Sequence, residues 1–508
     1  MSSAVNSEFV LDMQRKLYRW SHADPNSMFG DVFNLVCDRR TLAGAWQRLA
    51  RNKGSQTPGT DGIRRRNVEE RPGGVEGYLE EIRNDLRAGT YRPEPVRQRL
   101  IPKPGKPGKF RPLGIPTLRD RLVQMALKLV LEPIFEADFY PTSFGFRRRR
   151  CTHDAIATIQ RQINPIRYGD SRITYVIEGD IKGCFDNIDH HLLMERVRRR
   201  IKDRKVLRLV LAFLKAGVLI EGTVRHPVAG TPQGGIISPL LSNIFLTAID
   251  ERYRRWTPAP REHLRNATAR RIRDYNGGKP VFYIVRYADD FVVLVSGSRE
   301  AAEAEKDALA KFLKEELRLE LSPEKTLVTG IREGFEFLGY RIVKTKSWTG
   351  RFVCKLLIPP GRLQMLRDKI KARTKRASLD RSFADLIDDL NPLIMGWRTY
   401  YRHAMRACRE FDKLDWWLYR RLKRWLHNKH RKVTYYSIKR RFLGHGVKDW
   451  GRWTVGNVRL RKFRDGGTNP YPFRGTKITN GWDNVPEAWN GDRRDDFWDS
   501  LNVLATAW

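Results

Sequence analysis

Two adjacent carboxylates, Asp289 and Asp290, stand in the middle of VFYIVRYADDFVVLV, residues 281–295. The flanking runs, 281–286 and 291–295, are β-branched and aromatic, so Ala288-Asp289-Asp290 reads as the tip of a buried hairpin. Neighbouring carboxylates in such a place repel each other and resist desolvation, which calls for a compensating cation. Oxygen-only ligands select a hard divalent ion, Mg²⁺ above all. A lone Asp-Asp is more often a polar turn. What argues against that here is a second acid, Asp180, which closes the strand-like RITYVIEGD, residues 172–180. Carboxylates from two strands can bridge two metals about 3.5 to 4 Å apart, the apparatus for in-line phosphoryl transfer between nucleotides.

GDIKGCFDNID, GTPQGGIISPLLSNI and YADD follow one another along the chain. In the second of these the glycines let backbone approach a substrate where a Cβ would obstruct it. In order, spacing and wording the three segments resemble the palm of a reverse transcriptase, and of the group II intron-encoded type in particular. The resemblance implies an α+β right-hand polymerase. Its parts would be fingers and palm with an antiparallel palm sheet plus helices, a helical thumb or maturase domain, and a small basic C-terminal region.

It also implies roles for single residues. Asp180, Asp289 and Asp290 would hold two Mg²⁺ ions. Lys103 in IPKP and Arg111 in FRPLGIP would hold the triphosphate of the incoming dNTP, and Lys325 would protonate the leaving pyrophosphate. Phe185 would lie beneath the sugar and exclude a 2′-hydroxyl, and Gln233 would touch the nascent base pair and template. The implied activity is RNA-directed DNA synthesis joined to a maturase role: the chain would bind group II intron RNA, assist its splicing and copy it into DNA during retrohoming. The partners would be intron RNA, an RNA template with a DNA primer, dNTPs and target DNA. Two other readings share these residues, a domesticated reverse transcriptase in host defence or repair and an RNA-binding splicing factor without polymerase activity.

The composition fits a polyanionic partner. Lys and Arg total 97 against 58 Asp and Glu in 508 residues, a formal net charge of +39. Charge alone does not choose among RNA, DNA and an anionic membrane surface. No run of about 18 or more apolar residues suggests a spanning helix, and the amino terminus lacks the apolar core of a secretory signal. A soluble, cytoplasmic protein of bacterial type, nucleoid-associated during integration, is expected. The five cysteines include no C-x-x-C pair, which argues against a zinc staple and a disulfide framework. Many relatives append a zinc-stapled His-Asn-His endonuclease whose paired cysteines are missing here, so target-DNA cleavage is not expected.

The elements that must position these residues are legible in outline. Helical spacing over 8–20 and 31–52 precedes a PGTDG turn, an extension that in the family helps grip intron RNA. Residues 91–116 read as a basic hairpin and 117–139 as a helix with Leu122, Met125, Ala126 and Leu129 in the core. The run Arg147, Arg148, Arg149 and Arg150 is expected to contact phosphate. Asp189 suits a helix cap better than a ligand. GFEFLGYRI, residues 334–342, resembles the primer-grip hairpin. Beyond Pro359 come three helical segments, 361–376, 381–403 and 411–430, with Trp397, Trp416 and Trp425 expected inside and Arg420, Arg421 and Arg424 on a nucleic-acid surface. The expected domains are 1–63 (N-terminal extension), 64–358 (fingers and palm), 359–430 (thumb or maturase) and 431–508 (DNA-binding-like).

Overall fold

The computed structural model describes residues 3–102, 108, 110–164, 172–220, 223–225, 230, 234–444, 451–475 and 478–482. The chain forms two compact units, one of residues 1–159, 172–330 and 474–508 and the other of residues 160–171 and 331–473.

The first unit is built around the helix Leu118–Glu136, which is buried along almost its whole length. Pro133 lies inside this helix and has no N–H to offer the carbonyl of Leu129 four residues earlier. The Gln14 amide donates to that carbonyl at 2.8 Å, and the Ser21 hydroxyl donates to the Ile134 carbonyl at 2.6 Å. Both donors come from the helix Ser3–Ala23, so a residue that breaks one helix fixes another against it. Residues 1–63, expected as a separate extension, therefore share the core of this unit, with Val10, Met13, Leu17, Leu42 and Trp46 buried in it.

In chain order the strands of this unit are β1 (Val96–Pro102), β2 (Phe110–Ile115), β3 (Tyr175–Asp180), β4 (Val218–Ile220), β5 (Thr223–Arg225), β6 (Val281–Tyr287), β7 (Asp290–Ser296) and β8 (Leu327–Gly330). They make two sheets, ordered β2-β1-β4-β5 and β6-β7-β3-β8, and every pairing in the second is antiparallel. All seven residues of β6 are buried. That is why its sequence runs apolar without alternation, as a strand covered on both faces does. The helix Ser238–Arg252 is buried over most of its length, and Asp250 lies in its last turn.

In the second unit β9 (Phe335–Phe337), β10 (Tyr340–Lys346) and β11 (Phe352–Leu357) form an antiparallel sheet. The helices Pro360–Arg373, Phe383–Tyr401, Ala407–Lys429 and Tyr435–Phe442 follow. The Tyr400 hydroxyl donates to the Leu338 carbonyl at 2.5 Å and the Tyr401 hydroxyl to the Gly339 carbonyl at 3.1 Å. These bonds tie sheet to helices, so residues 331–357 group with the helical segment rather than with the 64–358 segment suggested by composition. Trp397 and Trp425 are buried as expected, but Trp416 is 63% exposed. It occupies the solvent side of its helix, opposite the apolar stripe filled by Phe411, Leu414, Leu418 and Leu422.

Candidate active site

Antiparallel pairing sets Asp180 at the end of β3 directly opposite Asp290 at the start of β7, and Asp290 opposite Tyr287 of β6. Directly opposed residues have Cβ atoms about 4.5–5.5 Å apart. Ala288 and Asp289 form the turn between β6 and β7, and Ala288 is held at φ +58°, a left-handed conformation uncommon outside glycine.

What holds the turn is Arg286, whose side chain is completely buried. Its guanidinium donates to both carboxyl oxygens of Asp250 (2.5–3.1 Å), to Oδ1 of Asn243 (3.0 Å) and to the carbonyl of Ala288 (3.0 Å). Asn243 in turn donates to the Gly145 carbonyl at 2.8 Å. A Cβ on Gly145 would come within 2.3 Å of the Ala288 nitrogen, so only glycine lets this segment lie against the acidic turn. Burial raises the Asp250 carboxyl and the Arg286 charge opposes the rise. Motif and composition alone pass over Arg286, Asp250 and Asn243. The available signal was one basic residue in the apolar VFYIVRY and one acid ending the apolar SPLLSNIFLTAID, since lone opposite charges in two buried segments must find each other.

The carboxylates resist ionising together. Burial and the negative charge of Asp180 raise Asp289, while Arg111 and Arg286 oppose. Asp290 lies at the exposed end of β7 but is crowded by protein on its inner side. That crowding and the charges of Asp289 and Asp180 push it up to about 7, with Lys325 opposing. The Lys325 ammonium donates to Oδ2 of Asp180 at 2.8 Å. It sits on a loop pinned to the end of β3 by the bond from Ser322 N–H to the Asp180 carbonyl, also 2.8 Å. Among the described residues no three His, Cys, Asp or Glu side chains form a ready-made metal cage. The donor set nevertheless suits Mg²⁺, which is commonly held by one or two carboxylates with substrate phosphates and waters completing the octahedron. Mutual repulsion among the three carboxylates is relieved by such a cation.

Phe185 follows β3 in the turn Cys184–Asp186, half-buried and edge-on to Phe146 at 6.4 Å between ring centres. Arg111 lies on β2 opposite Ile101 with its side chain exposed. Lys103 and Gln233 lie outside the described residues.

The arginine run differs from expectation. Arg147 is buried, chelating Glu136 (2.6–3.1 Å) and donating to the carbonyls of Tyr140 and Ser143 at 2.6 Å each. It is a structural arginine, buried and paired with a carboxylate rather than turned to phosphate. Arg148 lies over the Trp482 ring, Arg149 donates to Thr479 and to the Asn480 carbonyl, and Arg150 donates to the Pro141 carbonyl. A charge run reads as solvated or phosphate-facing only while no other segment covers it. Here residues 479–482 lie against Arg148 and Arg149, which with Arg150 stay half-buried. In the second unit Arg420 and Arg424 are exposed one turn apart, whereas Arg421 donates to Thr374 Oγ1 and to the carbonyls of Thr374 and Lys371, closing the end of the helix Pro360–Arg373.

Comparison with known proteins agrees with this geometry. Residues 101–342 match the family described as reverse transcriptase (RNA-dependent DNA polymerase), and residues 363–443 match the group II intron, maturase-specific domain. The group II intron-encoded protein LtrA of Lactococcus lactis is 38% identical over 346 residues, covering 60% of this chain and 55% of LtrA. Protein YkfC of Escherichia coli is 39% identical over 361 residues, 69% of this chain and 92% of YkfC. This chain belongs to the group II intron-encoded reverse transcriptases. The chain thus spans nearly all of one curated relative and about half of LtrA. In this reverse transcriptase the 101–342 match takes in the whole β6-β7-β3-β8 sheet and the other sheet except most of β1, and the maturase-specific match begins within the helix Pro360–Arg373 and ends one residue past the helix Tyr435–Phe442. No helix among the described residues is long and apolar enough to cross a membrane.

Proposed function

We propose that this reverse transcriptase extends a DNA primer on an RNA template, binds group II intron RNA to assist its splicing, and copies that RNA into a DNA target. The observation that carries the polymerase reading is the register that sets Asp180 against Asp290 beside the Asp289 turn, with the Lys325 and Arg111 charges acting on the same carboxylates.

Asp180, Asp289 and Asp290 would hold two Mg²⁺ ions, which when bound would acidify the primer 3′-hydroxyl and neutralise the departing pyrophosphate. Arg111, with Lys103, would grip the triphosphate, where the guanidinium fork suits phosphate oxygens. Lys325 keeps its ammonium at Asp180 in the free protein and would pass a proton to the leaving group once phosphate draws it away. Phe185 would close the space a 2′-hydroxyl needs, and Gln233 would face the template. Arg420 and Arg424 would meet the nucleic-acid backbone. Intron RNA would be recognised by shape and phosphate contacts, which leave no short code in the protein.

The test is single-nucleotide incorporation by the full chain on an RNA template with a DNA primer and Mg²⁺, run alongside a splicing assay on a candidate intron. DNA synthesis with faster splicing supports the whole reading. Synthesis without any effect on splicing would support a domesticated polymerase, and splicing alone would support a vestigial polymerase site.

A further inference from the structure

The second unit carries a stacked column of rings with one end open. Trp453, 1% exposed, anchors it and meets Phe383 edge-on at 6.1 Å. Tyr419 stacks on Trp453 at 5.1 Å and 23°. Trp416 stacks on Tyr419 at 5.8 Å with the planes within 8° of parallel. Trp416 is 63% exposed, so the stack ends on a bare indole. The core of its helix does not need it, because that core is made by the leucines on the opposite stripe.

This open end lines a cleft of about 1080 Å³. Tyr436, 75% exposed, lines it too. Lys439, Arg440 and Arg461 line the same cleft and are exposed. The two acids on its wall leave little negative charge: Asp412 is paired with Arg464 at 3.0 Å, and Asp415 accepts backbone N–H bonds from Phe463 and Arg464. A flat apolar platform edged with cations suits a flat ring that carries a phosphate. A neutral peptide or a neutral aromatic ligand would leave the cations unused.

We propose that the cleft binds an unpaired nucleotide of a single-stranded nucleic acid, its base continuing the stack on Trp416 and its phosphates meeting Lys439, Arg440 and Arg461. The base must be unpaired, since both faces of a base inside a duplex are already covered by its neighbours. This site lies at the maturase-specific end of the chain and does not depend on the polymerase chemistry assigned to Asp180, Asp289 and Asp290.

The experiment uses the full-length protein and short single-stranded oligonucleotides carrying 5-iodouracil, one of RNA and one of DNA, with a blunt duplex as control. Ultraviolet crosslinks mapped by mass spectrometry should fall on Trp416 or Tyr436, and the strand that gives them identifies the source as RNA or DNA. Adducts found only outside residues 412–464 would overturn the proposal. In parallel, Trp416→Ala should weaken single-strand binding about 5- to 150-fold at elevated salt, with the salt slope unchanged, because stacking releases no counterions. Trp416→Tyr should restore most of that affinity. The double variant Lys439→Ala, Arg440→Ala should flatten the slope by about 1.4, from roughly 0.7 for each of two phosphates no longer neutralised. Trp416→Ala binding single strands within about two-fold of wild type, against the stacking contribution expected per base, would refute the site. So would an equal weakening on the duplex control.

Discussion

Replacing Arg286 with Met removes in one step the fork on Asp250, the link to Asn243 and the bond to the Ala288 carbonyl. Asp250 has no exposed surface and would keep a carboxyl without its counter-charge. Breaking a buried pair from one side costs about 3–5 kcal/mol. The single variant should therefore melt several degrees below wild type and synthesise little DNA. The informative protein is the double variant Arg286→Met, Asp250→Leu, in which the stranded charge is gone. Its stability should recover much of that loss, since buried ion pairs are often matched by apolar replacements, but stay about 1–3 kcal/mol below wild type because the buried Asn243 and Ala288 oxygens lose their donor. Its activity should stay low, by roughly 100-fold in kcat, because nothing then holds the Ala288 carbonyl and displacements of about 1 Å at a reacting centre cost that much. Thermal denaturation and single-nucleotide incorporation on the same preparations separate the two effects. A double variant that regains both stability and rate would show that Arg286 is only half of a structural ion pair and does not set the acidic turn.

Other outcomes follow from the same geometry. Asp290 has its carboxyl raised from 3.8 to about 7 in the folded chain, so the stability linked to its proton is complete below the unfolded value and is lost as pH rises through about 7. Asp290→Asn should thus stabilise the metal-free protein at about pH 8, by about 1 kcal/mol after allowance for solvent at this exposed position, and by nothing below about pH 4. Melting curves in a chelating buffer check it, and a pH-independent difference would contradict the charge repulsion. Gly145→Ala should cost about 1–3 kcal/mol through overpacking against Ala288 and should slow incorporation more than it disturbs RNA binding, as read by melting and by filter binding. Phe185→Ala should narrow the preference for dNTPs over ribonucleotides by at least about ten-fold in the ratio of kcat/KM values, and an unchanged ratio would remove Phe185 from sugar selection.

The palm was readable because its strands are strongly patterned and its acids sit where strands end. β6 and β7 match the two apolar runs within a residue or two, and Asp189 caps its helix by accepting from Leu192 N–H, as a short acid before HLLMERVRRRI should. What the sequence hid depends on distant segments meeting. Arg147 reads like its three neighbours, and only its burial against Glu136 distinguishes it. Trp416 and Trp425 share one helix, and whether each lies inside depends on a phase difference that periodicity blurs when aromatics occupy both faces. Pro133 falls inside the helix read over 117–139, and the sequence gives no hint of what tolerates it there: Gln14, more than a hundred residues away, satisfies the carbonyl that proline abandons. The division of the chain into compact units escaped composition for a similar reason, since Tyr400 and Tyr401 bind the turn at Leu338 and Gly339.

The most direct measurement is single-nucleotide incorporation by Asp180→Asn, Asp289→Asn and Asp290→Asn proteins in Mg²⁺, with the affinity of each for the RNA template and DNA primer determined in parallel. Loss of at least about 1000-fold in rate for all three, with affinity kept within a few-fold, is the result predicted by the proposal that the carboxylates serve the reaction and the basic surfaces serve binding. Extension by the Asp289→Asn protein at a rate near wild type would contradict it.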